Sequence, residues 1–392
     1  MSESTSYDYI IAGAGAAGLS LVWNMMKSDL LNEKKILLID QSLNPSNDKT
    51  WCFWDDSNIP DSDLIHHSWK TLEVRAFGNL YSEKLSHYSY HCLRSYDYTK
   101  TILEKAEKNS AVTLLETSIE DFSEIGDHGI VHTSNGDFSA DWIFQSAIRP
   151  KSFYHQKVDV SLKQHFLGAE IETTKPAFDP EKVMLMDFDT SQKHGVTFFY
   201  ILPYSENKAL VEYTFFTDQI LSEDEYQAGI EAHLSERYSL QPDDYKVART
   251  ETGAIPMEDR RYPAWYNSRV MNTGTVGGLT KPSTGYTFTR IQSHCHKIVS
   301  ALEKNEIPPV SNKSPLRFRI YDIMLLYLLE TEPEVCKKIF HDLFKRNSFD
   351  TILKFLEEDT HLGQELSIFA SLPYIPFFKA IYKMKHRIIT GA

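Results

Sequence analysis

Cysteine is scarce, with four residues in 392, at Cys52, Cys92, Cys295 and Cys336. None forms a C-x-x-C pair, and a chain of this length needs no disulfide staples, so a reducing cytoplasmic compartment is expected. Positive charge is also short. The 41 Lys and Arg against 54 Asp and Glu leave a net −13, with no basic patch to offer a nucleic acid. Long apolar runs are absent. The stretches near 323–329 and 368–378 fall well below the ~18–20 residues that span a bilayer. No leader is expected, because a glycine turn arrives early and Asp8 interrupts the first apolar run. The expectation is a soluble or peripheral protein. Its basic stretch Lys379–Arg387 (KAIYKMKHR) is either a solvated helix face or a contact with anionic lipid. Metal-ligand spacing is missing as well. His294-Cys295-His296 looks like a ligand set, but neighbours and i+2 residues on a helix face apart, so no metal is expected. His66-His67 and the His87/His91 pair read the same way.

What is present is a globular composition, 42% hydrophobic and 24% charged, with order expected beyond the first five or six residues. The length suits one large domain or two to three smaller ones. The most informative stretch is Tyr7–Ser20, YDYIIAGAGAAGLS. A strand runs into Gly13-x-Gly15-x-x-Gly18 and then into apolar helix formers. Gly13 allows a tight turn, Gly15 lets backbone approach a pyrophosphate at the helix N-terminus, and Gly18 permits close helix–strand packing. Lys35–Ile39 is a second buried strand ending in Asp40, 22 positions after Gly18 (40 − 18), where a carboxylate meets an adenosine ribose. The plain alternative is a glycine turn without a ligand.

Further along, Thr50–Trp54 is abruptly aromatic and ends in Asp55-Asp56. Trp69–Phe77 alternates as a strand, with Tyr88–Leu93 as its expected partner. Arg94–Asp97 opens a helix to about Lys108, with Ser95 or Asp97 as N-cap. Strands follow over Val112–Ile119, Gly129–Thr133 and Phe138–Phe144, the last in a stretch suited to carry the chain back under a cofactor. Gln164–Thr173, Val183–Phe188, Gly195–Leu202 and Ala209–Phe216 suggest an antiparallel sheet. Glu223–Tyr238 reads as a helix, and the pattern is helical from Leu316 onward.

A second helix N-terminus is expected at Gly277–Tyr286, GGLTKPSTGY, with Gly277, Gly278, Pro282, Ser283, Thr284 and Gly285 before a helix starting at Tyr286. Such an end suits a phosphate or a negatively charged flavin edge, or is an ordinary capped helix. Glu212 in LVEYT shares a strand face with Leu210 and Thr214. Buried among apolar residues it would have a raised pKa and donate a proton near neutral pH; otherwise it is an exposed strand glutamate. Asp187 in LMDF is a candidate of the same kind, while Glu251 and Glu258-Asp259 read as structural.

Together these stretches resemble the flavoprotein lycopene cyclases, close to the bacterial branch. The matching motifs are YDYIIAGAGAAGLSL, KKILLIDQS, KTWCFWDD, QHFLGAEIE with MLMDF, FFYILPYSENKALVEYTFFT, ETGAIPM, GGLTKPSTGYTFTRIQ and FLEEDTHLGQELSIFASLP, in family order along nearly the whole chain. The resemblance implies an α/β, glutathione-reductase-like FAD-binding Rossmann fold with an inserted antiparallel substrate sheet and a helical C-terminal part. The expected division is 1–75, 92–150 and 268–300 for FAD, 76–91 and 151–267 for substrate, and 301–392 for the helices. The resemblance also implies FAD used reduced, NAD(P)H as reductant, and redox-neutral closure of lycopene's linear ends to β-rings, giving gamma- and beta-carotene. Glu212, or the flavin itself, would protonate a terminal double bond in an aromatic tunnel built from the Phe and Tyr residues between Phe188 and Phe216. Two positions depart from the family pattern: Tyr213 stands where many relatives carry a second acid, and Lys281 where relatives often carry His.

Two other functions suit a flavoprotein fold. One is an FAD-dependent monooxygenase or isoprenoid reductase, which usually has a Gly-Asp pair before the last flavin helix. That position here reads Thr275-Val276-Gly277-Gly278, without an Asp. The other is a non-catalytic carotenoid- or lipid-binding module.

Overall fold

The computed structural model describes residues 5–55, 62–310 and 314–389. Most of the disorder expected at the start, and Asp56, lie outside them. The first strand, Thr5–Ala12, lies between Gly136–Gln145 and Ile36–Asp40, all parallel, with Val112–Glu116 and Val270–Asn272 as the outer parallel strands. Ile10, Ile11, Leu37, Leu38 and Ile39 are fully buried because both faces of this sheet are covered, which is why the strands read as unbroken apolar runs. Ile119–Ile125, His128–Thr133 and Gly136–Gln145 form an antiparallel extension on one edge. Helices Ala16–Met26 and Phe288–Glu303 pack together over one face of the parallel sheet.

A seven-stranded sheet has the order 245–258, 161–173, 208–217, 196–205, 182–187, 71–76, 79–84. It is antiparallel except where Lys182–Asp187 runs beside Thr71–Ala76. This corrects two expectations. Residues 71–75 belong to this sheet and not with the nucleotide-binding half, and they pair with Asn79–Lys84 instead of Tyr88–Leu93. The reason is a two-residue turn at Phe77-Gly78, both with positive φ (52° and 74°), which closes a tight hairpin. Phe at the first turn position hides that signal. Ser89–Arg94 instead joins Thr50–Asp55 and Ile65–Trp69 in a three-stranded sheet.

The seven-stranded sheet is covered on both faces, and its side chains alternate between them. Phe199, Val211, Tyr213 and Phe215 pack on helix Glu223–Tyr238, whose start is fixed by a Ser222/Glu225 capping box. Phe198, Leu202, Leu210 and Phe216 pack in a different core with the C-terminal helices Leu316–Thr331, Pro333–Arg346, Phe349–Leu356, Leu362–Ala370 and Tyr374–Ile389. The aromatic residues between Phe188 and Phe216 are therefore split between two cores and do not line one tunnel, a correction to the expectation.

The three-stranded sheet is the wall between the two halves. Along Thr50–Asp55, Trp51 and Phe53 meet Phe288 of the nucleotide-side helix, at ring-centroid distances of 6.0 and 5.0 Å. The alternate residues Cys52 and Trp54 face the core of the seven-stranded sheet. Cys52 and Cys92 stand opposite each other in register, both as free thiols, so two of the cysteines scattered in sequence are neighbours in space.

Candidate active site

The glycine turn has three distinct surroundings. Gly13 has φ +112°, a conformation that L side chains rarely adopt. A Cβ on Gly18 would lie 1.8 Å from the Gly13 carbonyl oxygen, because the helix sits directly on the strand. A Cβ on Gly15 would meet nothing within 4 Å, so this side of the turn is open. Helix Ala16–Met26 starts at Gly15 with no side-chain cap and no acid in its first turn, which leaves N–H donors directed outward. Asp40 closes the turn by accepting from the Ala14 N–H at 2.6 Å. Gly274 joins the same place, its absent Cβ lying 3.0 Å from that of Ala17. The donors, the open approach and the carboxylate together fit a dinucleotide's pyrophosphate and ribose.

The second loop, Gly277–Tyr286, differs from the expected helix end. The helix begins at Phe288, two residues late. Gly277 and Gly278 lie against Asn272 and Tyr262, and Gly285 against Gln164 of the seven-stranded sheet. Ser283 turns inward, donating to Asp322 at 2.6 Å, while Pro282 and Thr284 are half-buried between the strands and the helical part. The loop thus bridges the two halves.

It brings Tyr286 to Glu212. Glu212 is 7% exposed, on the face of its strand that looks toward the C-terminal helices. Its cross-strand neighbours are Tyr200 on one side and Gly168 on the other. Beyond Gly168, on the next strand, stands Glu251, which is also buried. Since Gly168 has no side chain, only its Cα separates the two acids. Burial, with Glu251 adding like charge, pushes the Glu212 carboxyl up to about 8. Thr214 donates to Glu212 Oε1 at 2.6 Å. Among the described residues no cation forms an ion pair with it. Aromatic groups close the space: the Tyr90 and Tyr200 hydroxyls are 2.8 Å apart, and Trp54 packs edge-on to Tyr286 at 4.6 Å. Burial raises all three tyrosines, which stay protonated.

The protein-family profile described as "Lycopene cyclase protein" matches residues 8–382. The chain belongs to the lycopene cyclase family. A lycopene beta-cyclase of Paracoccus sp. is 26% identical over 299 residues, covering 72% of this chain and 70% of that protein. Among solved structures, a geranylgeranyl bacteriochlorophyll reductase-like protein of Thermoplasma acidophilum superposes with TM-score 0.58 at 12% identity, over 98% of this chain and 100% of that one. The halogenase PltM in complex with phloroglucinol and FAD gives TM-score 0.57 at 14% identity, over 98% and 91%. The shared fold is the α/β Rossmann-type fold of FAD flavoproteins.

Within this lycopene cyclase frame the two departures have structural answers. Tyr213 points to the opposite sheet face from Glu212, stacked on Phe199 at 4.3 Å, so an acid there could not share Glu212's site. Lys281 is buried with its Nζ 3.0 Å from Asp322 and 2.9 Å from Glu358, pinning the loop to the helical part. Asp187 is separated from Glu212. It is 2% exposed, on the face of Phe199 and Tyr213, with Arg75 at 3.3 Å and Arg237 at 3.4 Å. Burial raises its carboxyl against the pull of both arginines. The two candidate acids are therefore not brought together in one site. A cavity of about 240 Å³ opens beside it, but its walls include Glu73, Arg75, Asp179, Lys182 and Arg237, charges that an apolar polyene would leave desolvated. Glu251, read as structural, is the acid that does lie beside Glu212. It is held by Arg249 at 2.5 Å and by the Thr50 hydroxyl at 2.8 Å. No sequence spacing links residues 212 and 251; strand order does. Among the described residues no group of three or more His, Cys, Asp or Glu side chains is arranged to hold a metal.

Proposed function

We propose that this chain is an FAD-dependent lycopene beta-cyclase that closes the linear ends of lycopene to β-ionone rings, giving gamma- and beta-carotene. The observation that carries the proposal is Glu212, a buried carboxyl at about 8 with no cation paired to it among the described residues, set among aromatic rings where the bridging loop meets the sheet. At neutral pH it holds its proton and is the general acid for a terminal double bond. The rings of Trp54, Tyr90, Tyr200 and Tyr286 exclude water and offer π-faces to the positive charge that develops as the ring closes. Glu251 keeps the Glu212 proton in place by disfavouring its loss. Gly13, Gly15, Gly18 and Asp40 would hold the adenosine diphosphate end of FAD, and the loop of Gly277, Gly278, Pro282, Ser283, Thr284 and Gly285 its other end. FAD held there and reduced by NAD(P)H would supply electron density that favours a nearby cation. We assign the parallel-sheet half to FAD, the seven-stranded half to substrate, and residues 301–392 to a cover over the substrate face.

The free thiols suit a reducing cytoplasm. The test is expression in lycopene-producing cells, with and without oxygen. Cyclic products by absorption and chromatographic retention, made without oxygen and without stoichiometric NAD(P)H use, are expected. Oxygen-dependent hydroxylated or hydrogenated products would overturn the reading.

A further inference from the structure

The last helix, Tyr374–Ile389, carries two apolar faces where a surface helix needs one. Phe377, Ala380, Met384 and Ile388 belong to the core shared with helix Leu316–Thr331. Away from that face, Tyr374, Ile375, Phe378 and Tyr382 are each 65–69% exposed, and Ile389 is 80% exposed. Tyr374, Phe378, Tyr382, Lys385 and Ile389 follow one another at three- and four-residue intervals, which places them on one outward stripe. The preceding helix, Leu362–Ala370, also exposes apolar residues. Leu362 and Leu366, an i, i+4 pair, are 63% and 70% exposed, and Phe369 of that helix meets Phe377 at 6.0 Å.

The edge of the stripe is basic, in a chain whose net charge is −13. Lys383 is exposed beside it and Lys385 lies within it, its ammonium 4.7 Å from the Tyr382 ring centroid, while the exposed Lys379 is paired with Glu332 at 2.5 Å. Lysine stems of this kind lie along apolar surface while the head groups reach water or phosphate. Aromatic residues on one side and lysines at the edge are the makeup of a helix that lies in a bilayer interface. Among the described residues no helix is long and apolar enough to cross a membrane, so contact by this helix would be parallel to the surface.

We propose that the outward faces of helices Leu362–Ala370 and Tyr374–Ile389 form a docking surface for a bilayer containing anionic lipid. The choice of lipid over a second copy of the chain rests on the lysine edge and on the proposed function, since a polyene substrate is dissolved in membrane.

The test reads binding and not turnover, so its failure and the failure of the cyclase reading are separable. Full-length protein is floated with vesicles of phosphatidylcholine, alone or mixed with phosphatidylglycerol. Binding is expected mainly to the mixed vesicles, weakening as salt rises. The triple variant Ile375→Ser, Phe378→Ser, Tyr382→Ser should bind roughly tenfold less to either vesicle. Lys383→Glu with Lys385→Glu should lose at least about fivefold on the mixed vesicles only. An unchanged thermal midpoint shows that the variants fold. Equal flotation of folded wild type and triple variant, or no flotation of the wild type, overturns the proposal. So does a wild-type dimer in light scattering that the triple variant abolishes.

Discussion

Glu212 and Asp187 are buried carboxyls of one sheet, and burial raises both. They lie on opposite faces and differ in what answers the burial. Asp187 has a guanidinium on each side and the Asp189 N–H at 3.0 Å. Glu212 has one threonine hydroxyl and, across Gly168, a second carboxylate. A buried acid surrounded by cations is a structural tie, because its charge is wanted. A buried acid with a like charge beside it is kept protonated, and that is a store of a proton. Perturbation alone does not separate the two; the identity of the neighbours does.

The largest effect should come from removing the stored proton. Glu212→Gln is expected to lower cyclisation about 10³-fold, within the range for a general acid, while FAD stays bound. Pigment yield and the flavin spectrum of the purified variant check this, and a rate near wild type would break the contrast. The same substitution alters stability with a known sign. A carboxyl raised to about 8 in the fold binds its proton more tightly there than in the unfolded chain. Its contribution is therefore full below about pH 4.3 and is lost as pH rises through about 8. Urea midpoints of Glu212→Gln should fall less between those values than the wild type's.

Asp187→Asn should do the reverse. It leaves Arg75 and Arg237 facing each other without the carboxylate, costing about 1–3 kcal/mol, below the full value for a buried pair because both arginines are about a quarter exposed. Cyclisation per folded molecule should not change. Loss of activity at unchanged stability would mean that the two faces are not as different as their neighbours suggest.

Much of this frame was legible in the residues. Apolar runs ending in glycine or Asp40 marked the parallel strands, because that signal is local. The position and face of Glu212 were also legible, since strand alternation is local too. The pairing of Glu212 with Glu251 was not. It depends on Gln164–Thr173 lying between two strands that are distant in sequence. The ion pairs of Asp187 were not legible for the same reason, because Arg75 and Arg237 reach it from 112 positions before and 50 after (187 − 75 and 237 − 187). The aromatic residues between Phe188 and Phe216 looked like one lining, yet strand alternation sends them to two cores.

The next test acts on the neighbour that sets Glu212 apart. Glu251→Gln removes the like charge and releases Arg249, and both changes favour the ionised form of Glu212. The protonated acid is the active form, so the wild-type rate should fall as pH rises through about 8. In Glu251→Gln that fall should begin at lower pH, with the rate at acidic pH little changed. A pH–rate profile displaced upward or unmoved would show that Glu251 does not hold the proton in place.

The smallest expected effect comes from Gly168, the spacer itself. A Cβ there would stand 3.1 Å from Glu251 Cγ and 3.1 Å from Leu210 Cδ1, and 3.7 Å from Glu212 Cβ. Gly168→Ala therefore presses on the Glu251 side more than on Glu212. The strand gains from losing a glycine, and the crowding removes that gain, for a net cost of about 1 kcal/mol in the urea midpoint. The methyl group also separates the two acids with hydrocarbon. The alkaline limb of the pH–rate profile should then shift less than in Glu251→Gln, with the maximal rate reduced a few-fold at most. A loss as large as that of Glu212→Gln would mean that the gap over Gly168 is occupied by substrate, and would move the reacting double bond to the space between the two acids.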